Sequence, residues 1–80
     1  MVNRLEGKKQ VGIKQTIKAI KSGIVKTVYV ASDADEKLIT PIKTLALENS
    51  LEVIEVSTMK ELGKLCGIDV GSASAVVLKE

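Results

Sequence analysis

The stretch VGIKQTIKAIKSGIVKTVYVAS, residues 11–32, decides how the chain folds. Its apolar pattern changes period halfway along. Ile13, Ile17, Ile20 and Ile24 recur at three- and four-residue intervals. At about 100° per residue this gathers them into one narrow sector of a helix. The pattern predicts a helix over residues 14–22, entered through a short strand at 9–13 and stopped by Gly23. Beyond the stop, VKTVYVAS at 25–32 is rich in β-branched residues and reads as a buried strand. A helix that runs straight into a buried strand is a unit of a layered α/β domain.

Outward from that stretch the alternation continues. Residues 1–7 are expected to form a short helix. In SDADEKLITPIKTLALENS, residues 32–50, Ser32 or Asp33 is expected to cap a second helix, with Asp35 and Glu36 at its positive end. Pro41 is expected to kink or restart it, and Leu38, Ile42, Leu45 and Leu47 supply its apolar positions. LEVIEV at 51–56 alternates and reads as a second long strand. STMKELGKLCG at 57–67 reads as a third helix, with Thr58 and Glu61 spaced as a capping box and Gly67 as its stop. A last strand is expected at 73–78. The fold class expected is α/β: a mixed sheet of about four strands between helices on both faces, one domain over residues 1–80.

Composition excludes several functions. The chain has no His, so the usual acid–base group at neutral pH is missing and zinc ligation has only Cys66 to draw on. It has no Trp or Phe and a single Tyr, Tyr29, which argues against aromatic platforms that stack nucleic-acid bases. A lone cysteine forms no internal disulfide and fits a reducing, cytoplasmic setting; without His to activate it, it reads as a buried, inert thiol. The beginning MVNRLEGKKQ is polar, without a signal-peptide pattern, and no apolar run approaches a membrane span. Asp33 and Asp35 form an Asp-x-Asp pair, but no calcium-loop ligands follow, and capping is the better reading. No metal and no cofactor are expected.

Charge is uneven. Residues 1–30 hold seven basic residues and one acid, and residues 31–80 hold five basic and nine acidic residues, so a net +2 divides into +6 and −4. The basic half points toward a polyanion. Within it Lys14, Lys18 and Lys21 stack along one side of the first helix, about 100° round from the isoleucines. Gly12 lets the chain turn tightly into the helix, whose free N–H groups favour phosphate. On spacing alone, lysines that simply solvate an amphipathic helix are the commoner case. Lys60 and Lys64, four residues apart, are weak candidates to extend the basic edge, since Glu61 beside them counts against it. A second glycine-bearing junction, CGIDVGSAS at 66–74, sets apolar Ile68 and Val70 between Gly67 and Gly71. Such a pair either covers an unstacked base or tucks under the sheet to finish the core. Ser72 and Ser74 sit in a small-residue run that suits close packing at a strand start.

Taken together, GIKQTIK at 12–18, VYVASDAD at 28–35 and ELGKLCGIDVGSASAVV at 61–77 resemble the kink-turn-binding ribosomal protein family of archaeal and eukaryotic large subunits (L-seven-Ae type), and in particular its small bacterial YbxF-type members. The resemblance covers nearly the whole chain. It implies a three-layer α/β/α sandwich and binding to sharply bent RNA with tandem sheared G·A pairs and a bulge. In many members the first motif reads Gly-x-Asn-Glu-x-x-Lys. Gly12 and Lys18 agree with it; Lys14 and Gln15 stand where Asn and Glu are usual, as in the bacterial type. The second loop of the family contacts the bulge, which carries over to Ile68, Asp69 and Val70, with Gly71 adjoining. The expected site is therefore Gly12, Lys14, Gln15, Lys18, Lys21, Ile68, Asp69, Val70 and Gly71. Lys14 would donate to guanine O6 and N7 where the kink opens the groove, Gln15 would serve a mixed base edge, Lys18 a phosphate or second base, and Ile68 with Val70 a turned-out base. The function implied is non-enzymatic: a monomeric, cytoplasmic, bacterial RNA-binding protein, ribosomal-protein-like, whose partner is structured RNA and neither DNA nor membrane. A protein–protein adaptor on the same sandwich is the alternative, since fold alone does not fix function.

Overall fold

The computed structural model of the chain describes residues 8–79. The helix expected at residues 1–7 lies outside the described residues. Seven elements follow in order: β1 (Lys9–Val11), α1 (Ile13–Lys21), β2 (Val25–Ala31), α2 (Glu36–Glu48), β3 (Glu52–Val56), α3 (Met59–Leu65) and β4 (Ser74–Leu78). The four strands form one mixed sheet in the order β1-β4-β2-β3. β2 and β3 are parallel, as a strand–helix–strand crossover requires, and β4 runs antiparallel to both its neighbours. α1 and α2 pack on each other over one face, while α3 packs on β2, β3 and β4. The result is the α/β/α sandwich with a mixed four-stranded sheet.

Register assigns the faces. Val28 pairs with Val76 and Val30 with Ser74, so these four side chains share a face. That face meets α1, because the Ser74 hydroxyl lies 2.9 Å from that of Thr16. Ile20, Val25, Val28, Val30, Ile42 and Val76 are fully buried in the core, with Leu62 of α3 as the other large apolar residue sealed from water. Burial of this size is worth about 1.5–3 kcal/mol per large side chain.

Several local expectations are corrected. The isoleucine stripe ends early: α1 closes at Lys21, and Ile24 falls beyond it and is 41% exposed. Buried Thr16 takes a position on the stripe between Ile13 and Ile20. In α2 the buried face is Ile39, Ile42 and Ala46, with Leu45 half-buried. Leu38 and Leu47 each stand one residue, about 100°, off that face, and are 46% and 80% exposed. Pro41 does not restart α2, which runs unbroken from Glu36 to Glu48. Pro41 and Lys37 are both exposed, so the donor that Pro41 lacks is missing on the solvent side of α2. The cap of α2 is Asp35, whose carboxylate accepts from the Lys37 N–H at 2.9 Å, rather than Ser32 or Asp33. Asp33 serves another helix: it accepts from the Met59 N–H at 2.8 Å. Thr58 caps α3 as expected, accepting from the Glu61 N–H at 3.0 Å.

Gly12 enters α1 at φ 109° and ψ 159°, a conformation that only glycine takes without strain. Nothing lies within 4 Å of where a Cβ would stand. Gly12→Ala is therefore expected to cost about 1–3 kcal/mol of stability through backbone strain alone, measured by urea unfolding. Thr16→Val, which keeps shape and removes the buried hydroxyl, is expected to cost about 1–3 kcal/mol. In a double-mutant cycle Thr16→Val and Ser74→Ala should sum to more than the double variant loses, because each single change orphans the other hydroxyl.

Candidate nucleic-acid interface

The register brings four connections to one end of the sheet. β1, β2 and β3 finish there and β4 begins there, since Val11 pairs with Ala75, Val30 with Ser74 and Ala31 with Val56. Gly12, residues 32–35, residues 57–58 and residues 70–73 lie at this end, and α1, α2 and α3 start from it.

Ser74 joins the two glycine-bearing segments. Its carbonyl accepts from the Gly12 N–H at 2.9 Å and from the Ser72 hydroxyl at 2.6 Å. Its own hydroxyl meets Thr16. Ser74 and Thr16 are 0% exposed and Ser72 is 6% exposed, so these bonds are shielded from water. The loop before Ser72 is held twice more: the Ala31 N–H donates to the Ala73 carbonyl at 2.9 Å, and the Ser72 N–H to the Met59 carbonyl at 3.0 Å.

From this frame α1 presents Lys14, Gln15, Lys18 and Lys21, all exposed. Lys14 stands in the first turn of α1, at the sheet end, and Lys18 one turn farther along. Lys21 lies about 10 Å farther along the helix than Lys14 at 1.5 Å per residue. With Lys18 it occupies the last turn, where a cation is favoured by the helix dipole. Gly12 offers no side-chain cap, so the first-turn N–H groups of α1 face outward beside the lysines.

The second segment divides. Asp69, Val70 and Gly71 are exposed, with Val70 at 70%. Ile68 is half-buried and packs against the core, so it anchors the loop, while Val70 alone presents apolar surface. Glycines set this loop's distance from α3. A Cβ on Gly63 would run into the Val70 carbonyl, and one on Gly71 would stand 3.2 Å from the Met59 backbone. Gly63, Thr16 and Asp33 are the residues that sequence reasoning missed in this role. Thr16 was visible as a polar residue on an apolar stripe, and Gly63 as a helix-weakening glycine inside a helix.

Cys66 is buried, and removal from water pushes its thiol above the ordinary range, against a smaller opposing pull from Lys9. It therefore stays a neutral thiol at neutral pH. Among the described residues no group of three or more acidic or cysteine side chains gathers to hold a metal ion, and no helix is long and apolar enough to cross a membrane. A shallow hollow between α2 and β3, lined by Lys43, Leu47, Leu51, Val53 and Glu55, lies away from the loops. Its charges are occupied with each other, in a Lys43–Glu55 ion pair at 2.9 Å.

An RNA-binding protein of Caldanaerobacter subterraneus subsp. tengcongensis is 44% identical over 75 residues, covering 94% of this chain and 92% of its own. The RNA-binding protein YbxF of Geobacillus stearothermophilus is 44% identical over 73 residues, covering 91% and 89%. The large ribosomal subunit protein eL8 of Halobacterium salinarum is 40% identical over 78 residues, and the chain spans 65% of its length. Among solved structures, a 15.5kD RNA binding protein of Giardia lamblia superposes with a TM-score of 0.84 at 19% identity, over 90% of this chain and 61% of that one. A protein of unknown function from Bacillus halodurans superposes at 0.81 with 22% identity, over 89% and 71%. Residues 3–80 match the Ribosomal protein L7Ae/L30e/S12e/Gadd45 family, and the chain belongs to it.

Proposed function

We propose that the chain binds RNA folded into a kink-turn, the sharp bend built on tandem sheared G·A pairs and a bulge, and that it stabilises the bent form. One observation carries the reading: the exposed lysine side of α1 and the exposed Val70 loop flank the same buried Ser74 node. The relatives named as RNA-binding proteins, similar over nearly their whole length, support the choice of RNA.

The chemistry follows from residue type. An undistorted RNA major groove is too deep and narrow for side chains, and a kink opens an edge of it. Lys14 donates to guanine O6 and N7 there. Gln15 both donates and accepts, which suits a base edge of mixed groups. Lys18 holds a phosphate or second base, and Lys21, farther along α1, a phosphate of the flanking stem. Gly12 leaves open space at the start of α1, so a nucleotide approaches the backbone closely. Val70 covers a base turned out of the stack, Ile68 holds the loop beneath it, and Asp69 and Gly71 shape the loop backbone. No ring is required, because this mode reads bend and groove edge. Binding the bent conformer more tightly than the straight one shifts the RNA population toward it. In this reading the protein is a monomeric, non-enzymatic, ribosomal-protein-like component of a bacterial cytoplasm, needs no cofactor, and takes structured RNA in preference to DNA.

Calorimetric titration against a kink-turn RNA, and against the same RNA with its G·A pairs replaced by Watson–Crick pairs, tests the class of target. Tight binding to the first and weak, salt-sensitive binding to the second is expected; equal affinities would rule the reading out. Replacing both Lys14 and Lys18 by Ala should cost about 1–3 kcal/mol per lost base contact, and should flatten the salt dependence by about one counterion per phosphate contact removed. A double variant that bound the kinked RNA as the parent does would exclude this face of α1.

A further inference from the structure

Asp33 is an acidic residue at an end of the molecule proposed to meet a polyanion, and charge alone would disfavour it there. Its carboxylate is engaged in a bond with a specific consequence. It accepts from the N–H of Met59, 26 residues away, at 2.8 Å. α3 does not need that bond for its local cap, which Thr58 already supplies by accepting from the Glu61 N–H. A capping side chain reaches the second or third N–H of a helix and leaves the first unserved. Asp33 takes that first donor from another part of the chain.

Met59 is the residue on which the 68–72 loop hangs. Its carbonyl accepts from the Ser72 N–H at 3.0 Å, and its backbone stands 3.2 Å from where a Cβ on Gly71 would lie. Four residues along the same helix, Gly63 has no room for a Cβ because of the Val70 carbonyl. The start of α3 and residues 70–72 therefore move together. Asp33 itself is fixed through its turn, where the Ser32 N–H donates to the Val56 carbonyl at 2.7 Å and the Ala34 N–H to the Ala31 carbonyl at 3.2 Å.

We propose that Asp33 is a positioning residue for the Val70 loop: through Met59 it sets the height of that loop above the end of the sheet relative to the lysine side of α1. It acts on the loop and not on RNA. The inference rests on the kink-turn reading for its effect on binding, and on the hydrogen bond alone for its effect on the loop.

The two variants Asp33→Ala and Asp33→Asn separate acceptor from charge. Both remove the negative charge, and only Asn keeps an oxygen that accepts from Met59. Amide hydrogen exchange without RNA is the first measurement. Asp33→Ala should speed exchange at Met59 and Ser72 and leave the α1 amides unchanged, and Asp33→Asn should restore protection. Titration with a kink-turn RNA is the second. Misplacing the Val70 loop should weaken binding by Asp33→Ala about tenfold, the scale of one lost interface contact, with an unchanged salt slope, and Asp33→Asn should bind as the parent or more tightly. Asp33→Leu, which keeps the side chain's size without an acceptor, serves where Asp33→Ala does not fold. Unchanged exchange at Met59 and Ser72 would overturn the proposal. So would faster exchange with undiminished RNA affinity, since the bond would then be structural only. Failure of the parent chain to bind kinked RNA would instead sink the functional reading, and the exchange result would still decide whether Asp33 holds the loop.

Discussion

The structure depends most on what happens at Ser74. One buried residue accepts two hydrogen bonds on its carbonyl and pairs its hydroxyl with Thr16. In a dry interior each of these groups is expensive to leave alone, so the bonds act as constraints more than as sources of net stability. Ser74 also opens β4, the strand that pairs with both β1 and β2. A shift of one residue in β4 would turn Ser74 away from α1 and send Ala75 to that face. The same contact that seats the helix thus fixes strand register, and with it the spacing between Gly12 and the loop that ends at Ser72.

Much of this architecture was legible in the residues, and the failures have physical causes. Periodicity found α1, β2 and β3 because burial demands it. It overran at Ile24, where the helix had already closed, and it credited Leu38 and Leu47 to a face from which each is rotated by a single residue. Small polar residues were harder. Asp33, Asp35 and Thr58 all read as caps, and all three accept bonds from helix N–H groups. Only the folded chain shows that Asp33 reaches across 26 residues to a helix other than the one that follows it. Ile68 and Val70 are equally apolar in sequence, but one faces the core and the other solvent, a distinction set by the loop's path over Gly63. The nearness of the two glycine-bearing segments has no local signature, since it depends on strand order.

The proposed interface differs from an enzyme's cleft. It is an exposed edge formed by a helix side and a loop, supported from below by a fully bonded polar layer. Among the described residues no buried side-chain nitrogen or oxygen lacks a hydrogen-bond partner. Such an edge gains by rigidity, because ordering it on binding would subtract from affinity. The opposite boundary of the sheet is arranged differently. β3 is an edge strand, and its exposed Glu52 and Glu55, the latter tied to Lys43, set charge where another chain would otherwise add a strand.

The bond between Thr16 and Ser74 spans 58 residues of chain. Joining such distant positions carries a larger loop-closure cost than local helices or the β2–α2–β3 crossover do. The lysines lie within one helix, but their spacing from the partner loop does not exist until β4 has docked beside β1 and β2. A nascent or partly unfolded chain still carries the attractive charge without the geometry. In the proposed reading, preference for a folded target over a merely anionic one belongs to the docked chain and not to its charge.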